Sequence, residues 1–460
     1  MRQHIPDHPF RQHRIEPVSK TSFIAPPRGT VMHPSNLEKI TLLRHELHQC
    51  PELSMQESGT MSLLQSFLRE NTTLDVCARD GWFYAFKKGN PDASFADRGG
   101  IGISGPACDS EGRSAASNAP IAFRADMDAL PIPETIDLPY GSKNPGTSHK
   151  CGHDGHCAAL CGLALELSGM ETARDVYLIF QPGEEIGAGA LRCRYLIQEK
   201  GIAEVYAFHN LGGYPEGALV YRRGLTQPAS EGLKIRLTGK ASHASAPEKG
   251  NNPAGVLAEI VQFAMGIAAK SQTSKQVLDS TRSCDEFSAG GQENLLRLSA
   301  IGQEKPLHLP MRLCTVTGIR LGEGDFGISP GEGEICMTLR AEVESEMKAM
   351  EKAVLTYSEN AASDAGLGIK WSIHDYFPET RNHDAPMDKV LVAARKNKMP
   401  AIPMEGIWRA SEDFGYYLKI CPGAMFYIGN GEQYPALHTA EYDFNDRILE
   451  KAVDLFAALI

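Results

Sequence analysis

Four short apolar runs, each followed by a chemically reactive group, restrict the folds open to this chain more than any other feature. Ile121-Ala122-Phe123-Arg124-Ala125 reads as a buried strand ending at Asp126-Met127-Asp128. Asp175–Phe180 reads as a second, halted by Pro182 and followed by Glu184-Glu185. Val205–Phe208 is a third, ending at His209, and Ala424–Ile428 a fourth, with His438 in the loop beyond Tyr427. Strands that alternate with helices imply a parallel or mixed sheet covered on both faces. Ligands of such sheets gather at the carboxyl ends of strands, so these groups can converge.

The densest chemistry lies in Cys151-Gly152-His153-Asp154-Gly155-His156. A thiolate and an imidazole two residues apart can hold one divalent metal if the backbone between them turns sharply, which Gly152 permits. The apolar pattern Cys157–Leu165 follows, so the cluster opens a buried helix, with Asp154 as its expected cap. Cys157 and Cys161, one turn apart, read as core thiols. His156 reads as a supporting contact.

Elsewhere, Ser35-Asn36-Leu37-Glu38 has a capping-box pattern ahead of a first helix that carries His45 and His48 as surface or packing residues. A second helix is expected over Ser58–Glu70 and a strand over Trp82–Phe86. Gly89–Asn118 reads as a loop. The character changes after Tyr221. Strands at Gly232–Thr238, Cys314–Leu321, Glu334–Leu339 and Ile369–Tyr376 join helices at Pro253–Ala269 and Ser345–Ala362 in a two-layer α+β unit, with a polar insertion at Ser271–Pro310. After Phe377 the α/β pattern resumes, with helices near Ala385–Lys396, Ser411–Leu418 and Asp446–Leu459. The expected division is a flexible tail over 1–32, a catalytic domain over 33–225 and 378–460, and an inserted unit over 226–377.

The 460 residues suffice for about two or three domains. A net charge of −11 without a basic, aromatic stripe argues against nucleic acid. No apolar run is long enough to span a membrane, and the polar N-terminus lacks the apolar centre of a secretion signal. Eleven scattered cysteines read as reduced thiols of a cytoplasmic enzyme.

Thiolate, imidazole and carboxylate donors at Cys151, His153, Glu185, His209 and His438 suit transition metals, whereas oxygen-only ligation would suggest calcium or magnesium. On extended backbone Glu184 and Glu185 would point apart, one toward metal and the other toward a water made acidic by it. Amide hydrolysis needs that equipment.

Six stretches in order resemble the M20 metallopeptidases: Leu47–Leu53, Arg124–Pro131, Cys151–His156, Gln181–Glu185, Gly239–Ser245 and Ser411–Phe414. The nearest branch is the amidohydrolases acting on N-acyl amino acids, such as hippurate and indole-acetyl amino acid hydrolases. The resemblance implies a catalytic α/β domain of the zinc-exopeptidase, phosphorylase/hydrolase-like type, with a mixed sheet flanked by helices, interrupted by a smaller α+β lid and dimerisation domain. It implies two divalent ions per subunit (zinc or manganese, with cobalt or nickel as further candidates) held by Cys151, His153, Glu185, His209 and His438, with Glu184 as general base. His243 would reach a partner's active site in a homodimer and stabilise the oxyanion, and Asp126 or Asp128 would orient a ligand histidine. The expected substrate is a small N-acyl amino acid or amide. A dipeptidase, a biosynthetic N-acyl deacetylase and a non-catalytic binding member are the alternatives. One departure is plain: where many relatives carry an Asn-Val-Ile-Pro-like lid segment, this chain reads Asp325-Phe326-Gly327-Ile328-Ser329-Pro330. Arg320 and Arg340 could grip a substrate carboxylate or be lid-surface charges. Ser411-Glu412-Asp413 could support the metal pocket or cap a helix.

Overall fold

The structure is a computed structural model that describes residues 32–91, 118–280 and 311–460. Helices α1 (Pro34–Gln49) and α2 (Ser58–Asn71) precede a hairpin of β1 (Asp75–Arg79) and β2 (Trp82–Lys87). Then come β3 (Ile121–Asp126), α3 (His153–Ser168), β4 (Val176–Gln181), the short helices α4 (Gly189–Cys193) and α5 (Tyr195–Glu199), β5 (Glu204–Gly212), β6 (Leu219–Tyr221) and β7 (Gly224–Gln227). The middle of the chain forms β8 (Ala229–Thr238), β9 (Ser242–His243), α6 (Ala254–Ser280), β10 (Arg312–Leu321), β11 (Ile328–Ser329), β12 (Glu332–Ala341), α7 (Glu344–Asp364) and β13 (Gly368–Phe377). The chain closes with β14 (Thr380–Asn382), α8 (Asp384–Lys396), β15 (Ala401–Pro403), α9 (Gly415–Leu418), β16 (Gly423–Gly431) and α10 (Leu449–Ala457).

An eight-stranded mixed sheet in the order β1-β2-β4-β3-β5-β16-β6-β15 forms the large layer. Its centre, from β4 to β16, is parallel. Alternation along those strands builds two cores. Phe123 and Phe208 pack under α1, α3 and α10 with Leu43, Leu160 and Val453. Ala122, Ile179, Ala207 and Met425 face Leu196 and Tyr417 from α5 and α9. Both faces are covered, as the apolar runs require. A second, antiparallel sheet, β10-β12-β8-β13, carries α6 and α7 on one face over a core of its own that includes Leu233, Ile235, Met337 and Met350. The small ladder β7–β14 joins the two crossing segments between the sheets.

Several boundaries differ from the sequence reading. His33, not a Ser35–Glu38 box, caps α1; its ring accepts from the Ser35 amide, and Pro34 takes the first helical turn, where its missing N–H is harmless. Two short helices, α4 and α5, meet at Arg194, and the helix expected over Ser411–Leu418 is a single turn at Gly415–Leu418. Residues 271–280 continue α6 rather than beginning an insertion. The rest of that insertion (281–310), most of the Gly89–Asn118 loop (92–117) and the tail (1–31) lie outside the described residues. Among the described residues no helix is long and apolar enough to cross a membrane.

Candidate metal centre

Gly152 makes the site possible. Its φ is +96°, and a Cβ there would stand 2.5 Å from Asn210 Oδ1 and 2.7 Å from the Tyr442 hydroxyl. The left-handed turn places Cys151 before α3 and His153 on its first turn, with Gly152 as the N-cap. Asp154 is therefore inside the helix and not its cap.

The structure brings all five expected donors together. Nε2 of His209 lies 3.4 Å and Nε2 of His438 lies 3.3 Å from Cys151 Sγ. Glu185 Oε1 is 3.5 Å from His438 Nε2 and 3.8 Å from His153 Nε2. Donor atoms of Cys151, His153 and His209, of Cys151, Glu185 and His438, and of His153, Glu184 and Glu185 each fall within 4.8 Å of one another. His153 Nδ1 donates to the Asp128 carbonyl at 2.8 Å and His209 Nδ1 to the Asn210 carbonyl at 2.7 Å. Those bonds fix each tautomer and aim Nε2 at the centre. His438 sits at φ +61°, unusual for a residue with a Cβ, and its amide is pinned to the Lys150 carbonyl.

The residues fit a cation. The buried atoms His153 Nε2, Glu185 Oε1 and Asp128 Oδ1 have no hydrogen-bond partner among the described residues, a costly state that a metal would relieve. Burial opposes charge on His153, yet Asp126, Asp128 and Glu185 outweigh it and push its pKa up to about 10. The field that holds a proton there would equally hold a metal ion. Burial, then His156, keeps His209 well below the usual histidine range and so neutral, as ligation requires. Burial, then Glu185 and Glu184, raises the Cys151 thiol; a bound metal would ionise it.

Glu184 and Glu185 occupy a turn closed by the Gly187 amide on the Glu184 carbonyl, not extended backbone. Asp128 Oδ2 holds this turn by accepting from the Glu185 amide and from Ser54. Of the two aspartates, Asp128 contacts His153 Nδ1 through its carbonyl, while Asp126 lies 2.6 Å from His156 Nδ1 and 2.6 Å from Arg124. His156 has both nitrogens occupied, the other by Asn210 at 2.7 Å. Glu184 Oε1 accepts weakly from the Asp413 amide at 3.4 Å. Burial, then the neighbouring carboxylates of Glu412, Glu185 and Asp413, raise its pKa. His209 lies within β5, which runs on to Gly212, instead of ending the strand. His243 is exposed on β9, paired with Ile328 of β11, and does not line the metal cavity of its own chain.

Two supporting networks surround the donors, centred on Arg124 and His48, whose roles the sequence reading did not name. Arg124, fully buried, binds Asp126, Glu412, Asp413 and Gln181 at 2.6–3.0 Å. Glu412 and Asp413 are thus buried in this network, and Asp413 also accepts from the Ala190 amide at the start of α4. A charged residue inside the apolar run Ile121–Ala125 was the available signal. The second network gives His48, read as a surface or packing residue, a buried place. Its ring is buried between Asp154 (2.7 Å) and Glu134 (2.9 Å), beside Arg44, while Lys150 also binds Glu134. Burial disfavours charge on His48, but hydrogen bonds to Asp154 and Glu134 outweigh it and raise the pKa to about 9. Because that value lies above the ordinary histidine value, the pairing stabilises the fold fully below about pH 6.5 and loses its effect as pH rises through about 9. The Tm difference between wild type and His48→Gln should therefore be larger near pH 6 than near pH 9.5 in paired thermal melts; a constant difference would contradict the ion pairing.

The donors open into a cavity of about 840 Å³ between the two sheets. It is lined by Leu211, Trp408 and Leu437 from the large layer and by Ser230, Thr338 and Arg340 from the other. Thiolate, imidazole and carboxylate donors thus converge on one side of the mixed sheet and open under a second α+β layer. Comparison with known proteins narrows this. The model of Peptidase family M20/M25/M40 matches residues 122–460. N-acetyl-L-cysteine deacetylase of Bacillus subtilis (strain 168) is 31% identical over 413 residues, covering 88% of this chain and 84% of that protein. Hippurate hydrolase of Campylobacter jejuni is 26% identical, covering 91% and 94%. A solved structure from Bacillus subtilis, a dinuclear metal-binding peptidase of the M20 family, shares the fold with a TM-score of 0.67 at 22% identity, over 93% of this chain and 98% of that one. The chain belongs to the M20 family of hydrolases.

Proposed function

We propose that this protein hydrolyses the amide bond of small N-acyl amino acids, releasing a carboxylic acid and the free amino acid. The observation that carries the proposal is the convergence of five donor side chains, of which Cys151, Glu185, His209 and His438 line, with Glu184, a cavity sized for a small ligand. Cys151, His153, Glu185, His209 and His438 would hold two divalent ions. The thiolate and imidazoles suit zinc, and manganese, cobalt or nickel are the other candidates. Such ions supply an acidified water and polarise the scissile carbonyl. Glu184 takes the proton of the attacking water and returns it to the leaving amine nitrogen. Arg340 lines the same cavity from β12, and its guanidinium donates to the Arg409 carbonyl; it would take the carboxylate of the amino acid. Residues 226–377 act as a lid and dimerisation unit, and His243, exposed on its surface, reaches the cavity of a second copy to stabilise the oxyanion. Named relatives that act on N-acetylcysteine and hippurate support this substrate class.

The test is amino-acid release from a panel of N-acyl amino acids and dipeptides by protein stripped with chelator, then reloaded with one metal at a time. Release should vanish on stripping and return on reloading, with N-acyl amino acids preferred. Undiminished release by metal-free protein would overturn the mechanism, and preference for dipeptides would move the assignment to a dipeptidase.

A further inference from the structure

Beside the metal cavity lies a second depression of about 490 Å³, lined by Tyr214 and by the segment Ile402–Ile407. Leu211, Gly212 and Trp408 line both spaces, so these three residues form the wall between them. Trp408 supplies the large side chain of that wall, and it is held firmly. Its amide donates to the Thr226 carbonyl at 2.9 Å. Its ring stands edge-on to the buried Tyr427 at 5.5 Å, and Tyr427 is fixed by a hydrogen bond to Thr226. Trp408 also packs against a small cluster of Leu211, Val220, Met404 and Tyr427. The ring also stands edge-on to the candidate ligand His209, with centroids 5.1 Å apart.

We infer that Trp408 sets the length of the acyl group: it stops the metal cavity short of the second depression and restricts the substrate to short or flat acyl groups. The inference rests on the amidohydrolase reading. An N-acyl amino acid carries an apolar group on one side of its amide and a carboxylate on the other. The cavity has matching walls, with Arg340 on the lid side and Leu211, Trp408 and Leu437 on the other. An acyl chain lying along the apolar wall next to His209 meets the Trp408 ring. Without that ring it runs on into the second depression, past Ile402 and Met404.

The experiment compares kcat/KM for N-acetyl and N-dodecanoyl derivatives of one amino acid. Trp408→Ala should raise the dodecanoyl-to-acetyl ratio by roughly tenfold or more, given the value of a few buried methylenes to transition-state binding. Adding Ile402→Phe, which fills the second depression away from the metals, should return the ratio toward that of wild type. An unchanged ratio in Trp408→Ala, or a gain that survives Ile402→Phe, overturns the inference. Trp408→Leu provides the same comparison if the alanine variant does not fold. Binding of dodecanoate against acetate, by calorimetry on the metal-loaded proteins, keeps the two readings apart. If no N-acyl amino acid is cleaved, the proposed function fails. Tighter dodecanoate binding by Trp408→Ala would still support the wall, and equal binding would refute it.

Discussion

Glu184→Gln should lower kcat by about 10²–10⁴-fold, the usual contribution of a positioned general base, while leaving metal content and folding intact. The substitution keeps the shape and the weak contact with the Asp413 amide; it removes the oxygen that accepts a proton. Glu184 is buried, 5% exposed, with Glu185, Glu412 and Asp413 around it. A neutral amide there relieves like-charge crowding, so stability should hold or rise even as turnover collapses. Steady-state kinetics with metal analysis on the same preparation checks this. Full activity in the variant would remove Glu184 from the chemistry.

The second large effect is on stability. Arg124→Met should destabilise the fold by about 3–5 kcal/mol, the cost of leaving buried charges without their partner. Asp126, Glu412 and Asp413 would face one another in the interior with the guanidinium gone. The damage would spread to the site. Asp413 bridges Gln181 at the end of β4 and the Ala190 amide at the start of α4, so it spans the turn that carries Glu184 and Glu185. Arg124→Lys keeps the charge but not the planar fork, and should fall between wild type and Arg124→Met. Urea unfolding of the three proteins measures this, and a loss below about 1 kcal/mol for Arg124→Met would mean the network contributes little.

The legible parts of the chain were those whose signal is local. β3, β4, β5 and β16 are continuous apolar runs, and burial on both faces leaves no other use for them. The inserted sheet showed period-two alternation in β8 because one of its faces is less covered. Glu185, His209 and His438 could be listed because reactive side chains follow strands in an α/β pattern, and Cys151 and His153 because they crowd a glycine turn that opens a helix. What did not show was set by distant partners. His48 looks like any polar residue on α1; its environment comes from Asp154, 106 positions away, and from Glu134. Arg124 and Asp413 are 289 positions apart. β1 went unread because Asp75–Arg79 is a largely exposed edge strand with no buried face, and β6 and β15 are three residues each, too short for a period. Trp408 gave no sign of its position, since a tryptophan in an irregular segment fits core, surface or cavity wall equally well.

The central claim is that Cys151, His153, Glu185, His209 and His438 hold metal for a hydrolytic reaction driven through Glu184. The most direct measurement titrates zinc into chelator-stripped protein and follows bound metal and amino-acid release together. Release should climb as zinc fills the site and level off near two equivalents per chain, while Cys151→Ala binds less metal and recovers little activity. Release that is already maximal in metal-free protein, or that stays absent when zinc, manganese, cobalt and nickel all bind, would contradict the account.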